Sequence, residues 1–124
     1  MTILIVDDNA DAADSLAALL RSQGHDAAIR HNAQSALDEA RRLRPDAMIL
    51  DIGLPDMDGY ELCRRLHGMP ETSHAAYIAL TGYGQAHDRV LAKAAGFQHY
   101  FVKPVDLTAL QRVLDEVAPA VHAS

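Results

Sequence analysis

Acidic side chains follow two of the apolar segments in this sequence. Asp7 and Asp8 come directly after residues 3–6, and Asp51 comes directly after residues 47–50. Carboxylates that are brought together repel one another, so a cluster of them is costly unless a cation or a proton neutralises the charge. Hard oxygen ligands favour Mg²⁺ or Mn²⁺ over zinc, and none of the seven histidines is paired at i, i+4. If the two segments lie side by side, these aspartates form a divalent-metal site.

A lysine and a threonine follow two further apolar segments. Lys103 comes after residues 100–102, and Thr81 comes after residues 77–80. Lys103 is one of only two lysines in a chain that otherwise relies on arginine. Its compact ammonium group is suited to pair with a carboxylate at rest and with a phosphoryl oxygen after transfer. Thr81 adds a hydroxyl donor, and together with the aspartates the two residues predict a metal-dependent site that accepts a phosphoryl group.

Alternating patterns of strand and helix explain how these residues could meet. Short β-rich segments predict five strands, and the apolar spacing between and after them predicts five helices. The predicted fold class is therefore α/β, a (βα)5 arrangement with parallel strands, right-handed crossovers and helices on both faces of the sheet. Chemistry in such sheets gathers at the carboxyl ends of the strands. The second strand, rich in alanine, is expected at an edge. The predicted strands are residues 2–6, 26–30, 46–50, 76–80 and 98–102.

Capping residues indicate where the helices begin and end. Asparagine and aspartate side chains accept hydrogen bonds from the first turn of a helix, and glycine adopts the backbone conformation that ends one. Residues 53–59 are expected to form a loop, and Gly82 and Gly84 to flank a hinge-like connection. The predicted boundary residues are Asn9 or Asp8 and Gly24 for the first helix, Pro45 for the second, Gly68 and Pro70 for the third, Gly96 for the fourth and Asp106 for the fifth.

Length, charge and cysteine content restrict the class of protein. The 124 residues suit a single domain spanning residues 1–124, with no room for an effector domain. A formal net charge of -6, from 17 acidic and 11 basic residues, argues against a nucleic-acid-binding surface. Cys63 is the only cysteine, so no internal disulfide can form, and no apolar segment is long enough to cross a bilayer. We expect a cytoplasmic protein without a membrane segment.

Other kinds of site lack their sequence signatures. An EF-hand alignment over residues 56–59 would place Leu54 at the first ligand position and Arg65 at the last, which argues against a calcium loop. The patterns G-x-x-x-x-G-K-[ST], G-x-S-x-G and G-x-G-x-x-G are all absent. The chain therefore carries no motif of a P-loop, a nucleophile elbow or a dinucleotide-binding turn.

Together these residues resemble the receiver domains of two-component response regulators, over essentially the whole chain. The resemblance implies a flavodoxin-like, doubly wound sheet with strand order 2-1-3-4-5. It also implies that Asp51 accepts a phosphoryl group from the phosphohistidine of a sensor histidine kinase, with a histidine phosphotransfer protein as a further partner. By the same resemblance, Asp8 and Asp51 ligate Mg²⁺ directly and Asp7 acts through a water molecule. The backbone carbonyl of Gly53 completes the protein ligands.

The resemblance assigns roles to three more residues. Thr81 and Lys103 would hold the phosphoryl oxygens, and Tyr100 matches the aromatic residue that switches position. Such a signalling module catalyses its own phosphorylation and slow dephosphorylation, but it is not an enzyme with an external substrate. Its output would pass to a downstream protein through the face formed by the fourth helix, the fifth strand and the fifth helix. The residues that match the usual loop after the acceptor are Pro55, Asp58 and Gly59.

Two positions depart from the family pattern. Gly53 replaces the larger side chain often found two residues after the acceptor, and Tyr83 is bulky where many relatives are small. Both flank the expected path of the hydrolytic water and so bear on the lifetime of the phosphate.

A phosphohydrolase of the haloacid dehalogenase type is one rival function, but it needs a second acid at the position of Gly53. A phosphorylation-independent pseudo-receiver is the other, and the complete set of acceptor-site residues argues against it.

Overall fold

Five parallel strands form a single sheet in the part of the chain that the structure describes. The computed structural model describes residues 1–82 and 89–123. The strands are β1 (Thr2–Val6), β2 (Asp26–Arg30), β3 (Ala47–Asp51), β4 (Ala76–Thr81) and β5 (His99–Val102). Their order in the sheet is β2-β1-β3-β4-β5. This order confirms the expected flavodoxin-like topology and the position of β2 at an edge.

Helices connect the strands and cover both faces of the sheet. They are α1 (Ala10–Ser22), α2 (Ala33–Leu43), α3 (Gly59–His67), α4 (Arg89–Ala95) and α5 (Leu107–Ala123). Asn9 caps α1 by accepting a hydrogen bond from the amide of Ala12 at 3.1 Å, and Asp106 caps α5 through two amides of its first turn. Gly24 and Gly96 follow α1 and α4 with φ angles of 92° and 114°, as their predicted roles require. Within residues 1–82 and 89–123, no helix is long and apolar enough to cross a membrane.

Three strands have boundaries that differ by one residue from the sequence-based expectation. β3 is shifted to Ala47–Asp51, and β4 extends to Thr81, because Asp51 and Thr81 still pair with residues of the neighbouring strand. β5 begins at His99, where its pairing with β4 starts. The two polar residues at the ends of β3 and β4 therefore belong to the sheet, whose hydrogen bonds hold their backbones.

Alternating side chains divide the buried core into two layers. Leu4 and Val6 of β1 pack with α2, α3 and α4, whereas Ile3 and Ile5 pack with α1 and α5. Nearly every residue of β1, β3 and β4 is buried, which is why their sequences are continuous apolar segments rather than alternating ones. β2 and β5 border the sheet and are largely half-buried. β1 and β3 therefore end in the interior of the sheet rather than at its borders.

Candidate functional site

Three aspartates meet at the carboxyl edge of the two central strands. β1 pairs with β3 up to Leu50, so Asp7 and Asp51 lie side by side just beyond this pairing. One carboxylate oxygen from each of Asp7, Asp8 and Asp51 lies within 4.8 Å of the others. Asp7 and Asp51 are only 2% and 3% exposed, whereas Asp8 is exposed to solvent. The cluster predicted from the sequence is present, and one of its members is open to water.

The donor set of this cluster fits a hard divalent cation. Three carboxylates offer oxygen ligands, which Mg²⁺ prefers, and the exposed Asp8 leaves room for the waters that Mg²⁺ usually keeps. Main-chain donors orient the two buried carboxylates. Asp7 Oδ1 accepts the amide of Asn9 at 3.0 Å, and Asp51 Oδ1 accepts the amide of Gly53 at 3.0 Å. Such hydrogen bonds restrict the positions from which a carboxylate can approach an ion.

Lys103 bridges the two buried carboxylates. Its Nζ donates to Asp7 Oδ2 at 2.8 Å and to Asp51 Oδ2 at 3.3 Å. Its backbone amide donates to the carbonyl of Thr81 at 2.8 Å, which ties the residue after β5 to the end of β4. Burial lowers the pKa of the Lys103 ammonium group, but the hydrogen bond to Asp7 and the charge of Asp51 outweigh it, and the net pKa lies above its usual range. The lysine therefore stays charged, and the structure brings it into contact with both buried carboxylates.

Asp51 occupies an environment that disfavours its negative charge. Burial raises the pKa of its carboxyl group, and the nearby Asp7 raises it as well. The amide of Gly53 and the ammonium of Lys103 oppose this effect, but the net pKa of Asp51 lies above its usual range. The ammonium group of Lys103 thus contacts two of the three clustered carboxylates, those of Asp7 and Asp51. Additional positive charge would stabilise the ionised cluster, and a divalent cation would supply it.

A tight loop places Gly53 beside Asp51. Gly53 pairs with Asp58 in an isolated antiparallel bridge, and the amide of Gly59 donates to the carbonyl of Ile52 at 3.0 Å. A Cβ atom at Gly59 would lie only 2.5 Å from Ile52 Cα and 2.8 Å from the carbonyl oxygen of Asp51. Glycine is therefore required where α3 begins. The loop starts and ends next to Asp51, so its backbone is held close to the aspartate cluster.

Thr81 lies on the β4 side of the site. It is one position beyond the residue that pairs with Asp51, and it is fully buried. Its hydroxyl lies 3.5 Å from the carbonyl oxygen of Gly82. The structure therefore brings Thr81 to the same edge of the sheet as the aspartates. The expectations about the bulk of Tyr83 and the hinge at Gly84 fall outside the described residues.

Tyr100 lies further from the edge, on β5. It pairs with Ala79, two positions before the end of β4 at Thr81. Its half-buried ring packs against the core layer under α2, α3 and α4, and the guanidinium carbon of Arg89 lies 5.2 Å from the ring centre. Tyr100 is therefore placed between the sheet and α4 rather than among the carboxylates.

Two contacts near the site were not predicted from the sequence. The Asp56 carboxylate, in the loop after β3, accepts hydrogen bonds from the amides of Ala33 and Gln34 at the start of α2, at 2.8 and 3.1 Å. His31 Nδ1 lies 2.9 Å from the carbonyl oxygen of Asp7. Asp56 and Ala33 are 23 residues apart in the sequence, and His31 and Asp7 are 24 residues apart. No periodicity links positions so far apart in two loops, so nothing in the sequence signalled them.

Comparisons with known proteins give matches over nearly the whole chain. The family model described as "Response regulator receiver domain" matches residues 3–115. Protein PilH of Pseudomonas aeruginosa is 34% identical over 115 residues, which cover 93% of this chain and 95% of PilH. The transcriptional regulatory protein CreB of Escherichia coli is 37% identical over 105 residues, which cover 83% of this chain and 44% of CreB. The chain thus matches less than half the length of CreB but nearly all of PilH.

Solved structures share the fold as well. The crystal structure of a response regulator receiver domain protein (CheY-like) from Methanospirillum hungatei JF-1 matches with a TM-score of 0.87 and 28% sequence identity. The match covers 99% of this chain and 98% of that chain. It therefore extends over the sheet and over the strand ends that carry the aspartates.

Proposed function

We propose that this chain, which belongs to the response regulator receiver domain family of two-component signalling, accepts a phosphoryl group on Asp51 in a Mg²⁺-dependent reaction. The supporting observation is the setting of the Asp51 carboxylate. It ends a buried central strand, and its Oδ2 lies 3.3 Å from Lys103 Nζ inside the cluster of three aspartates. Among the side chains that the structure describes, in residues 1–82 and 89–117, no other group of three potential metal-binding residues comes together in this way. The phosphoryl donor is the phosphohistidine of a sensor histidine kinase or of a histidine phosphotransfer protein.

The metal ligands come from three segments at the carboxyl edge of the sheet. Asp8, Asp51 and the Gly53 carbonyl would hold Mg²⁺ directly, and Asp7 would hold it through a water molecule. When bound, the ion would screen the charge of the carboxylates and of the incoming phosphate. Mn²⁺ could take its place, because it also accepts oxygen ligands.

Asp51 is the nucleophile in the transfer. One of its carboxylate oxygens attacks phosphorus in line, while the bond between phosphorus and the donor imidazole nitrogen breaks and that nitrogen keeps the electron pair. Lys103, which pairs with Asp51 at rest, then stabilises one phosphoryl oxygen, and the Thr81 hydroxyl donates to another. Hydrolysis of the acyl phosphate regenerates the carboxylate. The protein therefore works as a switch rather than as an enzyme with an external substrate.

The surface formed by α4, β5 and α5 carries the output. Movement of Thr81 toward the phosphoryl group opens space that Tyr100 fills by turning inward. Large hydrophobic side chains of α4, β5 and α5 that remain exposed support this surface as the one that binds a downstream protein, because exposed apolar surface favours protein contacts. They are Val90, Leu91, Val102 and Leu107, with exposures of 78%, 51%, 43% and 48%.

Intact mass measurement with Mg²⁺ and acetyl phosphate tests the proposal. The wild type should gain one phosphate and Asp51→Asn none. Asp46→Asn alters a carboxylate at the opposite edge of the sheet, where it accepts the amide of Thr2, so this control should be labelled like the wild type. Equal labelling of the wild type and Asp51→Asn would disprove the assignment. Sustained consumption of acetyl phosphate without a stable adduct would indicate a phosphohydrolase, and no reaction would indicate a pseudo-receiver that only binds partners.

A further inference from the structure

We propose that Asp56 is a positioning residue for the metal site, because it fastens the loop that carries Gly53 to the N-terminus of α2. The inference rests on the proposed function, since it concerns how tightly the same site binds Mg²⁺. Asp56 itself does not bind the metal. Its carboxylate fixes the backbone from which the Gly53 carbonyl would reach the ion.

Both carboxylate oxygens of Asp56 are engaged by the first turn of α2. Oδ1 accepts the amide of Ala33 at 2.8 Å, and Oδ2 accepts the amide of Gln34 at 3.1 Å. Asn32 caps the same helix from its own position in the chain, since its side chain accepts the amide of Ser35 at 2.9 Å. An α-helix leaves its first amides without intrahelical partners, and Asn32 and Asp56 satisfy different ones. The helix therefore has its ordinary cap as well as this tertiary one.

The charge of Asp56 also favours its contact with the start of α2. The N-terminus of a helix carries partial positive charge, which stabilises a carboxylate placed there. The hydrogen bond from the amide of Ala33, with a smaller contribution from that of Gln34, lowers the pKa of the Asp56 carboxyl group below its usual range. The Asp56 side chain is exposed, so these bonds rather than burial hold it in place.

The connection between β2 and α2 holds both sides of the metal site. At its start, the carbonyl of Arg30 accepts the amide of Asp7 at 3.0 Å, and His31 Nδ1 lies 2.9 Å from the carbonyl oxygen of Asp7. At its end, the first amides of α2 bind Asp56. The strand end that carries Asp7 and the loop that carries Gly53 are therefore fastened to one short segment. This shared attachment sets their positions relative to each other.

Loss of the Asp56 hydrogen bonds would release the middle of the loop from α2, while the Gly53–Asp58 bridge would still hold its ends. Mg²⁺ demands nearly ideal octahedral geometry, so it binds less well to a carbonyl that is displaced or more mobile. Removal of groups that orient metal ligands weakens metal binding by about 10- to 100-fold. We expect the lower figure, about tenfold, because Leu54 and Met57 also pack the loop against the core.

The test compares Mg²⁺ affinity among four proteins: the wild type, Asp56→Ala, Asp56→Asn and Asp46→Ala. Titration of ¹⁵N-labelled protein with MgCl₂ at constant ionic strength, followed through amide chemical shifts, gives each Kd without any activity assay. Asp46→Ala is the matched control, because Asp46 also holds a backbone amide, that of Thr2 at 2.8 Å, but at the opposite edge of the sheet. Asp56→Asn removes the charge and keeps an oxygen that can accept the amide of Ala33.

We expect the Kd of Asp56→Ala to rise about tenfold, the Kd of Asp56→Asn to rise clearly less, and the Kd of Asp46→Ala to match the wild type. The amide signals of Ala33 and Gln34 should shift in Asp56→Ala. A wild-type Kd in Asp56→Ala would overturn the inference, and so would an equal loss in Asp56→Asn, since long-range attraction by the charge would then explain it. If the wild type itself shows no response to Mg²⁺, the proposed metal site fails together with the inference. If the wild type binds Mg²⁺ and is labelled on Asp51 while Asp56→Ala keeps its affinity, the inference alone fails.

Discussion

The β1–β3 side of the site and the β5–α4 side differ in how deeply they are embedded in the core. Asp7 and Asp51 are almost completely buried, at the ends of central strands that helices cover on both faces. β5 lies at the edge of the sheet, and Val102 on it and Val90 on α4 are strongly exposed. Regions with fewer buried contacts rearrange at a lower free-energy cost than densely packed ones. The proposed phosphoacceptor, Asp51, therefore lies in the densely packed side, and Tyr100, proposed for the response, lies on β5 in the more exposed side.

Thr81 stands at the border between these two sides. It is fully buried at the end of β4, next to β3 and its Asp51. Its carbonyl accepts the amide of Lys103, the residue that follows β5. A change at the phosphoacceptor can therefore reach β5 through a short, buried path. The comparison suggests four substitutions, each of which disturbs one side or the link between them.

The largest change in the free energy of unfolding is expected for Lys103→Met, which removes the positive charge beside the two buried carboxylates. Two buried carboxylates then lose their ammonium partner, and breaking a fully buried pair of this kind costs about 3–5 kcal/mol. Lys103 is 27% exposed, so we expect the free energy of unfolding to fall by about 2 kcal/mol. Urea denaturation at pH 7 in EDTA measures the loss, which Mg²⁺ should partly restore. A variant as stable as the wild type in EDTA would contradict the charge balance described here.

The next largest effect is expected for Asp8→Ala, which removes the solvent-exposed aspartate of the cluster and should abolish stabilisation of the fold by Mg²⁺. A cation that binds only the folded state stabilises it by mass action, by about 1.4 kcal/mol at a concentration ten times its Kd. The wild type should therefore melt at a higher temperature in Mg²⁺ than in EDTA, and Asp8→Ala should show no such difference. Asp11→Ala changes another exposed acid, in the first turn of α1, and should keep the wild-type response. An unchanged metal response in Asp8→Ala would count against the site.

Asp51→Asn should stabilise the folded protein, by less than Lys103→Met destabilises it. The pKa of Asp51 is raised in the folded protein, so the folded state holds the proton more strongly than the unfolded state does. The ionised carboxylate therefore costs stability at neutral pH, and Asp51→Asn should raise Tm by a few degrees in EDTA. The gain should shrink as the pH falls toward about 4, the ordinary pKa of an aspartate, because the folded state takes up its proton before the unfolded state does, and it should vanish below that pH, where both states are protonated. Thermal melts from pH 4 to pH 7 check this, and a lower Tm for Asp51→Asn at pH 7 would contradict it.

The smallest effect on phosphorylation is expected for Thr81→Val, which tests the link between the two sides. Valine keeps the shape of threonine but removes the hydroxyl, so Asp51 should still be labelled by acetyl phosphate. The response on the exposed side should be largely lost, because it depends on the hydroxyl moving toward the phosphoryl group. Amide chemical shifts across residues 89–107, with and without beryllofluoride as a phosphate mimic, measure this response. If Thr81→Val shows the full wild-type shifts, the coupling through Thr81 is wrong.

Local patterns were sufficient to predict the strands and the aspartate cluster. A continuous apolar segment such as residues 47–50 indicates a strand that is buried on both faces. Parallel strands then bring the residues at their carboxyl ends, Asp7 and Asp51, to one edge of the sheet. The lysine–carboxylate pair was predicted in the same way, because Lys103 follows another strand of that sheet. The boundaries of β3, β4 and β5 were displaced by one residue, since pairing with a neighbouring strand decides where a strand starts and stops. The roles of Thr81 and Tyr100 in the switch stay predictions.

The sequence by itself determined which chemical groups lie at the ends of the strands and that those ends share an edge. Only the tertiary structure decided how the loops around them are held. Asp56 binds the start of α2 across 23 residues of sequence, and His31 contacts the backbone of Asp7 across 24. The path of a loop depends on every surface it packs against, and its own residues carry no repeating pattern. The unequal burial of the two sides of the site follows instead from the strand order, with β5 at the edge and β1 and β3 at the centre, which the family resemblance had already implied.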